Sequence, residues 1–169
     1  DPTQSTPMLV YLHGLATRKE IMDKRDEFAQ ENPFTGLAQE MGWIIVFPFS
    51  QVSSNWFEDV GIAKVNDIVA AMKKDFNVDD DRVWLTGFSD GGSGAFGMSM
   101  LTADNFAAFI PLSGQMGVAA EWGGKHLYPI NMAMSPQYVV NTELDRLYPS
   151  AKMRKTIDMA NEVGAGILF

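Results

Sequence analysis

The 169 residues contain no cysteine, which removes disulfide bridges, thiolate metal sites and a cysteine nucleophile from consideration. Histidine is nearly as scarce: His13 and His126 are the only imidazoles. No apolar run approaches the roughly 20 residues that a helix needs to cross a bilayer, so no membrane span is expected. Positive charge is short as well. Thirteen Lys and Arg stand against 21 Asp and Glu, and the formal net charge of −8 argues against a nucleic-acid partner. What remains is an ordinary globular composition, 46% hydrophobic and 20% charged, sufficient for one domain with one core over residues 1–169. The opening Asp1-Pro2-Thr3-Gln4-Ser5-Thr6-Pro7 carries no signal-peptide pattern and reads as a mature or trimmed end. A soluble, secreted or periplasmic protein is the expectation; oligomeric state leaves no trace in the sequence.

The most informative stretch runs from Arg82 to Ser99. Val83 to Thr86 is a short β-branched and aromatic run ending in glycine, the pattern of a strand buried in a parallel sheet. Gly87-Phe88-Ser89-Asp90-Gly91 follows and matches G-x-S-x-G, in which a serine is held in a strained turn between strand and helix. A helix from about Gly91 to Leu101 would place Ser89 at its N-terminus, where unpaired N–H groups and the helix dipole favour negative charge. The motif needs a strand before it and a helix-compatible run after it, and both are present.

The segment Asp80-Asp81-Arg82-Val83-Trp84-Leu85-Thr86-Gly87-Phe88-Ser89-Asp90-Gly91-Gly92 resembles the nucleophile elbow of the α/β-hydrolases. The branch it is most similar to holds prolyl-oligopeptidase-like esterases, phospholipase/carboxylesterases and polyhydroxybutyrate-depolymerase-like esterases. The resemblance implies an α/β fold with a mostly parallel central sheet and helices on both faces, here incomplete at both ends. It also implies a serine hydrolase that cleaves a small-molecule or polymer-linked carboxylic ester through an acyl-enzyme, without metal or organic cofactor. Two alternatives stay open: a non-catalytic binding module on the same fold, and a peptidase of the prolyl-oligopeptidase type.

On that resemblance Ser89 is the nucleophile. Met8 to Leu12 reads as an early strand, and the His13-Gly14-Leu15 loop after it implies the Leu15 backbone N–H as one oxyanion donor, with the Asp90 backbone N–H as the other. The Asp90 carboxylate should point away from the pocket. Gln137 to Val140 reads as a late strand. The following Asp145-Arg146-Leu147-Tyr148-Pro149 implies Asp145 as the triad acid, with Glu143 the competing carboxylate.

Elsewhere, Ala16 to Asn32 is charge-rich and reads as an exposed excursion with helical stretches. Phe34 to Met41, Asp59 to Phe76 and Tyr148 to Val163 have helical spacing, and Trp43 to Phe47, Ala107 to Leu112 and Gly166 to Phe169 read as strands. Asn77 to Asp81 reads as an acidic turn. Gln115 to Ser135, rich in methionine, reads as a segment capping the pocket. His13, Trp56 and His126 are candidates to line that pocket, although His13 can equally bond its own loop and Trp56 can equally cover the sheet edge. A Ser-His-Asp mechanism needs an imidazole, which the resemblance implies after Asp145 in chain order, whereas both histidines precede it. The expected explanation is a fragment whose final strand and histidine loop are missing; recruitment of His126 and an inactive relative are the alternatives.

Overall fold

The computed structural model describes residues 5–51 and 54–169. Its centre is β1 (Thr6–Leu12), a run whose side chains are apolar on both sides and buried from Pro7 onward, as a strand covered on both faces must be. Met8, Val10 and Leu12 point into one core cluster. Tyr11 points the other way, its ring 6.1, 5.4 and 5.7 Å from those of Phe28, Phe34 and Phe47.

The chain then forms α1 (Lys19–Asp23), α2 (Arg25–Glu31) and α3 (Pro33–Met41) before entering β2 (Ile44–Val46). Pro33 opens α3, where its missing N–H costs nothing, and Gly42 closes it in the left-handed conformation at φ 68°. After β2 come α4 (Asp59–Asp75), β3 (Val78–Phe88), α5 (Asp90–Leu101), β4 (Ala108–Leu112) and α6 (Val118–Gly123). The last elements are β5 (Gln137–Tyr138), α7 (Ser150–Glu162) and β6 (Ile167–Leu168).

All the strand pairings are parallel, in the order β2-β1-β3-β4-β5-β6. Parallel neighbours demand crossovers, which the helices supply. Ile62, Val65 and Val69 of α4 join β1, β3 and α5 in one cluster; Met153, Ile157 and Ala160 of α7 join Phe96 and Met100 of α5 in a second. The opposite face is covered at β1 by α2 and α3. Over β3 to β6 that face is an apolar depression lined by Trp84, Ala108, Ile110, Tyr138 and Leu168.

The chain leaves β1 for β2 on one side and leaves β3 for β4 on the other. A doubly wound sheet opens a crevice where successive connections diverge, so the carboxyl ends of β1 and β3 form the natural ligand side. Leu12 and Gly87 are register partners there.

Two expectations are modified. Asp79 to Asp81 belong to β3 rather than to a separate turn: Thr6 pairs with Val78 but Met8 pairs with Val83, so the acidic residues bulge out of the ladder. Asp79 holds the bulge by accepting from the Asp81 N–H at 3.1 Å and from Arg82 Nε at 2.7 Å. The segment from Gln115 to Ser135 divides: Met116 and Met132 are buried against α5 in the second cluster, while Trp122, Tyr128, Ile130 and Met134 are exposed.

Ten successive residues of α5, Gly91 to Met100, are buried, and the small side chains at its start let the helix approach the sheet closely. A Cβ on Gly91 would lie 1.9 Å from the Leu12 carbonyl oxygen. Gly36, in α3, has open space around it. Gly91→Ala should therefore destabilise the fold by more than about 3 kcal/mol, beyond ordinary overpacking, because backbone has to move. Gly36→Ala should stabilise it by roughly 0.5–1 kcal/mol through helix propensity. Urea midpoints of the two variants check both signs.

Candidate active site

Ser89 lies between β3 and α5 with φ 56° and ψ −115°, a conformation that L-residues avoid. Three contacts over-determine it. Its N–H donates to Leu112 O at 3.0 Å, its carbonyl accepts from the Ser93 N–H at 2.9 Å, and a Cβ on Gly87 would lie 2.5 Å from the Gly91 backbone. The strain is thus anchored in the ends of β3 and β4. The Ser89 hydroxyl is half-buried and makes no hydrogen bond among the described residues.

The β1–α1 loop lies directly against this turn: a Cβ on Gly14 would be 3.2 Å from Ser89 Cβ and from Phe88 O. Leu15, the next residue, has φ 53° and is 54% exposed, and its N–H has no acceptor among the described residues. Asp90 is the first residue of α5, so its N–H has no intrahelical partner. Its carboxylate reaches back to the loop, where Oδ2 accepts from the Ala16 N–H at 2.9 Å.

Asp145 is held by its own loop. Oδ1 accepts from the N–H groups of Leu147 at 2.8 Å and Tyr148 at 2.9 Å. The Tyr148 N–H, with the Leu147 N–H and the Ser113 hydroxyl, holds the carboxyl below its ordinary range against the opposing effect of burial. Asn141 Nδ2 ties this loop to the β4 exit by donating to Gly114 O at 3.1 Å and Tyr148 O at 3.0 Å. The β4 exit therefore touches both segments: Leu112 O accepts from the Ser89 N–H and Gly114 O from the Asn141 side chain. Glu143 is exposed and has no such partners.

His13 and Trp56 are not pocket walls. Each is 1% exposed, packed ring to ring at 5.1 Å, and Trp56 Nε1 donates to His13 O at 2.9 Å. Phe49 and Phe28 complete the aromatic surround of His13, 5.4 and 6.0 Å away. The imidazole tautomer follows from its partners. Nδ1 lies 2.6 Å from the Gly14 carbonyl oxygen, which can only accept, so Nδ1 carries the proton. Nε2 then accepts from the Ser50 N–H at 3.2 Å. Both nitrogens are committed, and burial pushes the pKa of His13 down. A buried, fully bonded imidazole cannot take a proton from Ser89. His126 follows α6 on the surface and makes no hydrogen bond among the described residues.

Two contributors had no signal in the sequence and a third had only part of one. Ser113, at φ 46°, and Ser50 are ordinary serines in loops until the fold brings them to Asp145 and His13. Tyr148 faces the site as well: burial raises its pKa, and the carboxylates of Asp90, Glu121 and Asp145 raise it further. Its place before Pro149 was legible; its surroundings were not. Among the described residues no group of three or more metal-ligating side chains forms a cation site, and no helix is long and apolar enough to cross a membrane.

The sheet order, the strained serine after β3 and the acid after β5 define the α/β-hydrolase fold. The comparisons agree. No family model matches the chain. A bifunctional acetylxylan esterase/xylanase from Neocallimastix patriciarum, XynS20E, is 32% identical over 114 residues, covering 65% of this chain. The chain spans 16% of the length of that curated relative. Among solved structures, a thermostable esterase superposes over 99% of this chain and 46% of its own, with TM-score 0.70 and 22% identity. FphF, a fluorophosphonate-binding serine hydrolase of Staphylococcus aureus, superposes over 98% of this chain and 75% of its own, with TM-score 0.78 and 16% identity.

Two titrations follow from the geometry. The His13 ring should keep the 15N shifts of the Nδ1–H neutral tautomer at pH 6, with its midpoint below the ~6.5 of a free imidazole. Because the unfolded chain takes up that proton first, His13 lowers stability as pH falls below about 6.5. For Asp145 the depressed folded pKa contributes stability that is present above the unfolded value and lost as pH falls through the folded one. Asp145→Asn keeps an oxygen for the two amides and loses the charge. Its deficit in urea midpoint at pH 7 should shrink once the pH passes below about 4.

Proposed function

We propose that this chain is the nucleophile-bearing core of a serine carboxylesterase. The observation that carries the reading is the strained Ser89 turn packed against the β1–α1 loop, with the Leu15 and Asp90 N–H groups left without an acceptor among the described residues. In the proposed reaction Ser89 Oγ attacks the ester carbonyl and gives its proton to an imidazole. The carbonyl oxygen becomes an oxyanion bound by the two amides, in a site that requires no reorganisation to hold it. The alcohol departs with the imidazole's proton, leaving an acyl-Ser89 ester. Water, deprotonated by the same imidazole, releases the acid and returns the proton to Ser89.

Asp145 is proposed as the carboxylate that orients that imidazole. Two amides and the Ser113 hydroxyl favour its ionised form, as the role requires. His13 is excluded as base by its two committed nitrogens. His126 precedes Asp145 and makes no hydrogen bond among the described residues, so by the chain order Ser, Asp, His the base is assigned to a histidine later in the chain order than Asp145. The substrate class is a carboxylic ester, small or polymer-linked, with no cofactor. The acetylxylan esterase named among the relatives makes an acetyl ester on a polysaccharide the first substrate to assay. A polymer of that kind supports a secreted or periplasmic location.

The test is intact-mass analysis of the full-length gene product after exposure to a fluorophosphonate, in wild type and Ser89→Ala. One adduct on Ser89, absent from Ser89→Ala, is the expected result, together with a fall in esterase kcat of at least about 10⁴-fold in the variant. Absence of an adduct from the wild-type protein would overturn the reading and favour a non-catalytic binding module.

A further inference from the structure

The β1–α1 loop is fixed by its carbonyl groups. His13 O accepts from Trp56 Nε1 at 2.9 Å, Gly14 O from the His13 ring at 2.6 Å, Leu15 O from the Arg18 N–H at 2.9 Å and Ala16 O from the Ser50 hydroxyl at 2.5 Å. These bonds tie the loop to itself and to the segment that follows β2. None of them ties it to the nucleophile turn. The hydrogen bond that does so is Ala16 N–H to Asp90 Oδ2, at 2.9 Å, joining residues 74 apart in sequence.

Its position matters because of what lies on either side. Leu15 sits between Gly14, which abuts Ser89, and Ala16, which Asp90 holds, and at φ 53° it is in a conformation that a leucine does not adopt unaided. We propose that the Asp90 carboxylate is a positioning residue that sets the oxyanion hole: by clamping the Ala16 amide to the first turn of α5, it aligns the Leu15 N–H with the Asp90 N–H on one oxyanion. The proposal rests on the esterase reading of Ser89. One residue then serves both halves of the hole, supplying a donor from its backbone and placing the other donor through its side chain. The same bond answers the electrostatic objection to an acid beside a developing anion. The charge is turned onto the Ala16 amide at a helix N-terminus, where it is stabilised.

A helix-end acid that acts only through its charge and a tether that acts through its acceptor oxygen behave differently on substitution. Asp90→Asn retains an oxygen at the right distance and loses the charge. Asp90→Ala loses both. Asp90→Ser is too short to reach Ala16 but keeps the first turn of α5 polar, and it stands in if the alanine variant does not fold.

The experiment is performed on the full-length gene product, with two readouts: amide exchange at Ala16, and kcat and KM for a p-nitrophenyl acetate assay. If the tether places Leu15, Asp90→Ala and Asp90→Ser should speed exchange at Ala16 at least tenfold. They should lower kcat about 10- to 100-fold, less than outright removal of an oxyanion donor, while KM stays within about twofold. Asp90→Asn should restore protection at Ala16 and most of kcat. Unchanged exchange and kcat in Asp90→Ala, or an Asp90→Asn variant as impaired as Asp90→Ala, would overturn the proposal. If the wild-type protein shows no turnover that depends on Ser89, the esterase reading falls and the catalytic half of this proposal with it. Exchange at Ala16 then decides the tether by itself.

Discussion

Helix α5 meets the sheet with no room for a side chain at its first turn. A Cβ at Gly91 would come within 1.9 Å of the Leu12 carbonyl oxygen, and one at Gly92 within 2.4 Å of Leu112 O. The helix is therefore seated between the carboxyl ends of β1 and β4, directly above its own strand β3. Ser89 inherits its conformation from that seating, because the chain has to rise out of β3 and enter the helix within a single residue. The β1–α1 loop is then brought against Ser89, and the exit of β4 is brought beneath it. The contacts around Ser89 follow from how closely this one helix approaches backbone.

The site is assembled from the exits of β1, β3, β4 and β5, and that of β4 does most of the joining. Leu112 O accepts from the Ser89 N–H, and Gly114 O from the Asn141 side chain, which also donates to Tyr148 O in the Asp145 loop. Ser89 and the Asp145 loop thus share one support. A displacement of β4 moves both together, which preserves their spacing better than two separate anchors would.

The fold was legible because its strands and helices are long, periodic or bounded by glycine and proline. Met8 to Leu12 and Asp59 to Phe76 show their period without help, and Gly-x-Ser-x-Gly announces a turn whose steric requirements are written in its own residues. Legibility fails where the deciding contact is distant in sequence. His13 and Trp56 read as pocket residues because histidine and tryptophan suit pockets; only the fold shows them bonded to each other and to Ser50, 37 residues from His13. The three aspartates before Arg82 suggested a turn, since nothing local reveals that Val78 pairs with Thr6 and Val83 with Met8. The methionines after Gln115 suggested an adaptable cap, whereas Met116 and Met132 fill the space beside Phe96 and Met100. Within the candidate site, Ser89 and Asp145 were visible from local pattern. Ser113, Ser50 and the Asp90 side chain were not, because a serine or aspartate in a loop acquires a role only from what the fold sets opposite it.

The strained turn at Ser89 also has a meaning for folding. Its φ of 56° is stable only while the ends of β1, β3 and β4 stand in register around Gly87, Gly91 and Gly92, and no local sequence preference would maintain it in a loosened chain. A molecule whose sheet is intact elsewhere but slipped at either junction carries an ordinary, relaxed serine. On the proposed role of Ser89, covalent labelling of that hydroxyl would then count correctly assembled molecules one by one, a measure of folding quality that bulk spectroscopy, averaging over helices and strands, does not provide.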